Sequence, residues 1–164
     1  MTPGYRTVFI CAVKAGLTIL FFVCTLVCRA GILTPQDCSN LANEILDLHA
    51  THRDDKVFVQ EFSVWTIGLF ALAADSESKG EPRIKQVKLF IAFYLCSKLL
   101  YQYSIDHKDA LGDEVVQRSK EIARHATEAL AGNQIPLNLA TGELDAFRRP
   151  FGNNPTFRLR SLGG

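Results

Sequence analysis

The sequence predicts an all-α protein, a small four-helix bundle with an N-terminal signal helix before it and an irregular tail after it. Three observations lead to this prediction. Apolar residues recur at helical spacing in four successive segments, turn-forming residues separate those segments, and no segment alternates apolar and polar residues as a half-buried strand does. A chain of 164 residues is long enough for one domain with a core.

The first thirty residues have the pattern of an export signal. Arg6 and Lys14 precede fourteen uncharged residues, AGLTILFFVCTLVC (15–28). A basic start, an apolar run of this length and a small residue at the cut describe a secretory signal peptide. We expect cleavage after Ala30 and a periplasmic or secreted protein. The alternative is an uncleaved anchor in the inner membrane, with contact to the bilayer only through residues 7–28.

The first bundle helix is predicted over residues 34–52, TPQDCSNLANEILDLHATH. Thr34 is a candidate N-cap, Pro35 suits the first helical position, and Asp37 can complete a capping box. One apolar stripe follows at a spacing of three and four residues, formed by Cys38, Leu41, Ile45 and Leu48.

The next two helices are strongly apolar. Residues 57–75, VFVQEFSVWTIGLFALAAD, are apolar on nearly every face, but the uncharged stretch from 62 to 74 is too short to span a bilayer. We therefore expect 57–75 to be the central, buried helix, with Gly68 admitting a close neighbour. A further helix over 83–105 is expected to be buried on two sides.

The fourth helix is predicted over residues 107–133 and is amphipathic. Gly132 and Asn133 should end it. Its inward positions are Leu111, Val115, Ile122, Ala126 and Leu130, and its outward positions are Arg118, Lys120, Arg124 and Glu128.

Residues 31–133 thus form the helical domain, and residues 134–164 are expected to be a flexible tail with a helical turn near 141–148. The tail combines basic and aromatic residues, which suit docking to an acidic partner or a membrane surface, or a solvated tail without such a role. They are Phe147, Arg148, Arg149, Phe151, Phe157, Arg158 and Arg160.

The five cysteines fall into two groups. Cys11, Cys24 and Cys28 lie in the signal segment, so an exported chain keeps Cys38 and Cys96. In an oxidising compartment two cysteines most simply form one disulfide, which here would join the first helix to the third. Two buried free thiols are the alternative.

No motif indicates an enzyme, and neither a metal nor a cofactor is expected. His49 and His52 lie close together, but their spacing matches no metal motif and favours a role at a helix end. Neither a nucleophile elbow nor a phosphate-binding loop occurs. Eighteen basic against seventeen acidic residues argue against a nucleic-acid partner.

Four short stretches carry a family resemblance: TPQDC, VWTIGLFALA, FIAFYLC and HKDALGDEVV. Over residues 34–130 this arrangement resembles the small periplasmic helical domains related to the Hde-type acid-stress chaperones and to type VI secretion immunity proteins. The resemblance implies a disulfide between Cys38 and Cys96 and a central-helix motif of Trp65 and Gly68.

Two functions follow as hypotheses. The first is binding to a protein partner, as an immunity-type inhibitor of a secreted toxin. The second is an acid-stress holdase for unfolded clients, because protonation of the seventeen acids at low pH would leave a self-repelling, positively charged chain. A homodimer is compatible with both.

Overall fold

The computed structural model describes residues 32–152 and 154–157, and this part of the chain is helical without any β-strand. The predicted all-α class is therefore confirmed, while the signal segment and its three cysteines lie outside the described residues. The elements are α1 (Pro35–Thr51), α2 (Asp55–Ser78), α3 (Arg83–Asp106), α4 (Lys108–Leu111), α5 (Asp113–Gly132), α6 (Leu137–Gly142), α7 (Leu144–Arg148) and the 3-10 turns Arg149–Phe151 and Pro155–Phe157.

Helix α1 begins as the sequence predicts. The Thr34 hydroxyl accepts the Asp37 N–H at 3.1 Å, and the Asp37 carboxylate accepts the Thr34 N–H at 2.8 Å. This reciprocal pair is a capping box, and it satisfies two N–H groups that the helix itself leaves without acceptors. Asp37 also binds Lys88 of α3 at 2.8 Å, which ties the start of α1 to α3.

Helix α3, not α2, is the central helix. The side chains from Phe90 to Ser97 are all buried, and α2 and α5 both pack against α3. Two polar contacts fix these neighbours. The Tyr103 hydroxyl donates to the Asp55 carboxylate of α2 at 2.7 Å, and the Ser104 and Ser119 hydroxyls lie 2.8 Å apart between α3 and α5.

The prediction that 57–75 is the central, buried helix is therefore wrong. Only 28% of the most apolar window of α2 is buried. Gly68 does not admit a close neighbour either, since a methyl group added there would meet no atom within 4 Å. The predicted helices over 57–75 and 83–105 are both apolar on most faces. Composition alone does not say which of the two is surrounded by other helices.

The predicted helix over 107–133 is divided at Gly112. This residue has a φ of 86°, in the left-handed region that glycine adopts without cost, and it separates α4 from α5. Three of the five predicted inward residues, Leu111, Ala126 and Leu130, are buried, whereas Val115 and Ile122 are only partly buried. The helix ends at Gly132 with Asn133 as its cap, also as predicted.

The described part of the C-terminal tail is packed, so the prediction of a flexible tail is wrong up to Phe157. Phe147, Phe151 and Phe157 are all buried in the core. Glu143 is buried as well, and its carboxylate accepts the N–H groups of Ile32 and Leu33, which fastens the start of the domain to α7. Apolar burial here outweighs the turn-rich local sequence. The predicted tail arginines Arg158 and Arg160 lie outside the described residues.

No disulfide joins Cys38 to Cys96, because the structure holds both as buried free thiols. The contact between the start of α1 and α3 explains this correction. Asp37, next to Cys38, contacts Lys88, and Cys96 lies two helical turns or about 12 Å beyond Lys88. A disulfide requires Cα atoms within about 7 Å of each other. Burial raises the pKa of both thiols, so both are protonated at neutral pH.

Candidate functional site

Helix α2 presents a contiguous apolar surface. Val64 is 63% exposed, Ile67 49% and Phe70 42%, and they follow one another at a spacing of three residues. No charged residue occurs between Glu61 and Asp75 to interrupt this surface. Single exposed apolar side chains are ordinary, whereas a contiguous apolar patch marks an interaction site.

This surface forms one wall of a groove between α2 and α5. Two adjoining cavities of about 480 Å³ and 470 Å³ lie there, and both are lined by Ile67 and Ile122. Phe93 of the central helix lies at the bottom, and the Phe70 ring packs 5.4 Å from the Phe93 ring. The groove is therefore mostly apolar around Ile67, Phe70 and Phe93, whereas the cavity toward Lys56 also has polar lining residues, Gln60, Ser63 and Ser119.

The two walls run in the same direction. One cavity combines Lys56 at the start of α2 with Arg118 near the start of α5, and the other combines Phe70 with Glu128 near the end of α5. Since α2 and α5 both pack on α3, which lies between them in the chain, the three helices have up-down-up order. The groove occupies the place of a fourth helix in an antiparallel bundle.

Charged residues line the two ends of this groove, and most of them are paired with another residue of the chain. Lys56 and Arg118 lie at the end where α2 and α5 begin. Arg118 pairs with Glu114 at 2.6 Å, while Lys56 forms no ion pair within the described residues. His125 and Glu128 lie at the opposite end, where the His125 Nδ1 is 3.4 Å from the Glu128 carboxylate and the Arg124 guanidinium forms an ion pair with the same carboxylate.

The histidines that the sequence singles out do not form a metal site. His49 is half-buried, with its ring centroid 4.9 Å from that of Phe58 and 5.2 Å from that of Phe157, and this burial lowers its pKa. His52 is the C-cap residue of α1, as the helix-end interpretation predicts. Among the described residues no group of three His, Cys, Asp or Glu side chains is placed to hold a metal ion.

Trp65 and Gly68 lie on α2 but do not line the groove. Trp65 is half-buried beside Phe62, with the ring centroids 6.1 Å apart. Of the residues that form the groove, Ile122 is predicted to lie on the inward face of the fourth helix, and neither Ile67 nor Phe93 is predicted as a site residue. One signal in the sequence could have predicted the groove. A helix that is apolar on every face must be covered on every face, and a four-helix bundle cannot cover two such helices completely, so part of one apolar surface stays exposed.

Helix α2 is also the one helix in the described range that is long and apolar enough to cross a membrane. Core helices of soluble proteins meet the same two criteria. In this structure its inner face packs on α3 through Phe58, Phe62 and Leu69, which are buried. The apolar character of α2 therefore serves packing on one side and leaves the groove wall on the other.

Comparisons with known proteins add no relative to this description. No model of a protein family matches the sequence, and neither a curated protein nor a solved structure is significantly similar to it. The groove is therefore interpreted from its own geometry.

Proposed function

We propose that this protein is an exported, non-enzymatic helical protein that acts by binding another protein in the groove between α2 and α5. The observation that carries the proposal is the exposed apolar wall of α2 facing α5 above Phe93. An apolar centre with a charged rim is the usual anatomy of a protein interface. Export is supported by the basic and apolar pattern of residues 1–30.

The form of this function that we favour is an immunity-type inhibitor of a secreted toxin. Such an inhibitor occludes its target through surface shape and needs no catalytic group of its own. The resemblance of residues 34–130 to periplasmic immunity proteins supports this choice, and so does an apolar groove that is open in the folded state.

Site-specific photo-crosslinking in the producing cell tests the proposal. A photoreactive residue at position 67, inside the groove, is compared with one at position 84, where Ile84 is 56% exposed but outside the groove. We expect one protein to crosslink from position 67 and not from position 84. Purified, that protein should bind Ile67→Asp at least about 30-fold more weakly than the wild type, which is a loss of about 2 kcal/mol.

The matched variant Ile84→Asp should bind the same protein as the wild type does. Equal binding by Ile67→Asp, or the absence of a partner specific to position 67, would exclude the groove as the binding site. If the captured protein is a toxin, the wild type should inhibit it and Ile67→Asp should not.

An acid-triggered holdase is the second candidate, and one contact favours it. The ion pair between Asp37 and Lys88 ties α1 to the central helix, and the hydrogen bond from Lys88 lowers the pKa of Asp37. A carboxyl group whose pKa is lower in the folded than in the unfolded protein stabilises the fold at any pH above its unfolded-state pKa. This stabilisation is lost as the pH falls through the folded-state pKa. Acid would then weaken this tie between α1 and α3 by less than about 1 kcal/mol, and a holdase would need protonation of further acidic side chains to loosen α1 and uncover α3. Suppression of client aggregation at pH 2–3 but not at pH 7, without a specific neutral-pH partner, would favour this candidate over the inhibitor.

A further inference from the structure

The carboxylate of Glu143 lies inside the helical domain without a cation beside it. Glu143 is only 5% exposed and stands between α6 and α7. Its Oε1 accepts the backbone N–H of Ile32 and, at 3.3 Å, that of Leu33. No ion pair within the described part of the chain includes Glu143. A buried carboxylate destabilises a fold unless it is paired, even where hydrogen bonds satisfy one of its oxygens.

The two N–H groups that bind this carboxylate come from consecutive residues. Consecutive backbone N–H groups that converge on one oxygen are a common way of binding an anion. The next nitrogen toward the N-terminus belongs to Gly31, which lies outside the described residues. Covalent geometry places it one residue, at most about 3.6 Å, from the Ile32 nitrogen, and glycine adopts almost any backbone angle. The Gly31 nitrogen is therefore within reach of the same carboxylate.

Cleavage at the predicted signal site changes the charge of the Gly31 nitrogen. Hydrolysis of the peptide bond after Ala30 by a signal peptidase consumes one water molecule. It leaves a carboxylate on Ala30 and an α-ammonium group on Gly31, whereas the same nitrogen is a neutral amide in the precursor. Removal of the signal thus creates a cation next to the buried carboxylate that lacks one.

From these observations we infer that Glu143 is the binding site for the N-terminus that signal cleavage creates, with the Gly31 α-ammonium paired to its carboxylate in the exported protein. The pair fastens the start of the domain to α7, whose Phe147 is buried in the core. The precursor has no such pair, so its fold is less stable than that of the cleaved protein. This inference rests on the export part of the proposed function and is independent of the groove between α2 and α5.

The pair should make stability depend on pH in mildly alkaline solution. A carboxylate partner raises the pKa of an α-ammonium group above its ordinary value of about 8. Such a cation stabilises the fold fully below its unfolded-state pKa, and the stabilisation is lost as the pH rises through the folded-state pKa. The other titratable or charged groups around Glu143 are Asp37 and Cys38 on α1 and Asp145 and Arg148 on α7. Glu143→Gln retains all four, so they affect the wild type and the variant alike.

Selective acetylation of the N-terminus tests the pair in the protein that an exporting cell produces. Mass spectrometry first establishes whether the purified chain begins at Gly31. Acetylation removes the α-ammonium charge, and Glu143→Gln removes the partner's charge while keeping an oxygen that accepts N–H groups. We expect acetylation to lower the folding equilibrium constant of the wild type at least about tenfold in a urea titration at pH 7. It should change that of Glu143→Gln less than about twofold.

Asp145→Asn is the matched control, because the Asp145 side chain is 89% exposed two residues from Glu143. Acetylation should affect this variant as strongly as the wild type. Two further measurements should agree. The folded wild type should react with the acetylating reagent more slowly at its α-amino group than Glu143→Gln does, and a change from pH 7 to pH 10 should destabilise the wild type more than Glu143→Gln.

An equal effect of acetylation on the wild type and on Glu143→Gln overturns the inference. An α-amino pKa in the folded wild type that is no higher than in the unfolded chain overturns it as well. Should Glu143→Gln fail to fold, the wild type alone decides, and an effect of acetylation below about twofold overturns the pair. A purified chain that begins at Met1 overturns both this inference and cleavage of the signal. Failure of crosslinking from position 67, with the N-terminal pair present, refutes the groove alone.

Discussion

Replacing Phe147 by alanine tests whether the C-terminal tail is part of the folded core. The ring of Phe147 is fully buried in α7, and its centroid lies 5.4 Å from that of Phe151, which in turn is 5.3 Å from that of Phe157. Truncation removes the transfer free energy of the ring, leaves a cavity and breaks this aromatic chain. A fully buried phenylalanine loses about 3–5 kcal/mol on replacement by alanine, of which an aromatic pair accounts for about 1 kcal/mol.

Urea denaturation followed by fluorescence measures this loss, because Trp65 is the single tryptophan of the chain and is half-buried on α2. With a slope of about 1–3 kcal/mol per molar urea, a loss of about 4 kcal/mol lowers the midpoint by roughly 2 M. Arg149→Ala is the matched control, since Arg149 is exposed on the same segment and its replacement should change stability by less than about 0.5 kcal/mol. If Phe147→Ala also costs less than about 1 kcal/mol, the tail is not packed as described and the reasoning is refuted.

Three further predictions follow from single contacts. In the same urea titration Gly112→Ala should destabilise the protein by about 1–2 kcal/mol, because the φ of 86° is strained for any residue with a Cβ. The control Gly132→Ala, inside the last turn of α5, should be neutral or slightly stabilising. When the protein is unfolded without reductant, alkylated and digested, a peptide map should show Cys38 and Cys96 alkylated in separate peptides. Two peptides linked through these residues would contradict their free state. Asp37→Asn should lower the free energy of unfolding by less than about 1 kcal/mol at pH 7, because its ion pair with Lys88 is about one-third exposed. This loss should shrink as the pH falls through the lowered pKa of Asp37. A loss that persists at pH 2 would come from the capping box instead.

The features that the sequence predicts correctly are local ones. The capping box of Thr34 and Asp37 involves neighbouring residues in the chain, so the pattern alone specifies it. The same holds for the end of α5 at Gly132 and for the inward face of Ala126 and Leu130. Each of these features is specified by residues within one or two helical turns of each other.

The features that the sequence does not predict depend on contacts between distant segments. Phe147 and Phe151 are four residues apart, but Pro150 lies between them and Gly152 and Pro155 follow, so the pattern identifies no long helix and the burial of these rings depends on contacts with α1 and α3. The sequence is the same whether Cys38 and Cys96 are free or form a disulfide. Only the position of α1 along α3 distinguishes the two states. The groove likewise depends on which of the two apolar helices is central. Helix α3 is central because α2 and α5 both pack on it.

The central claim is that the face of α2 containing Ile67 is open surface available for binding and not part of the core. The free energy of unfolding of Ile67→Asp tests it most directly, with Ile91→Asp at a fully buried position of the central helix as the comparison. We expect Ile67→Asp to unfold within about 0.5 kcal/mol of the wild type, as an exposed substitution does. Ile91→Asp should abolish folding or cost more than about 4 kcal/mol, because it buries an unpaired charge. A loss of more than about 2 kcal/mol in Ile67→Asp would contradict the account, since that side chain would then belong to the core.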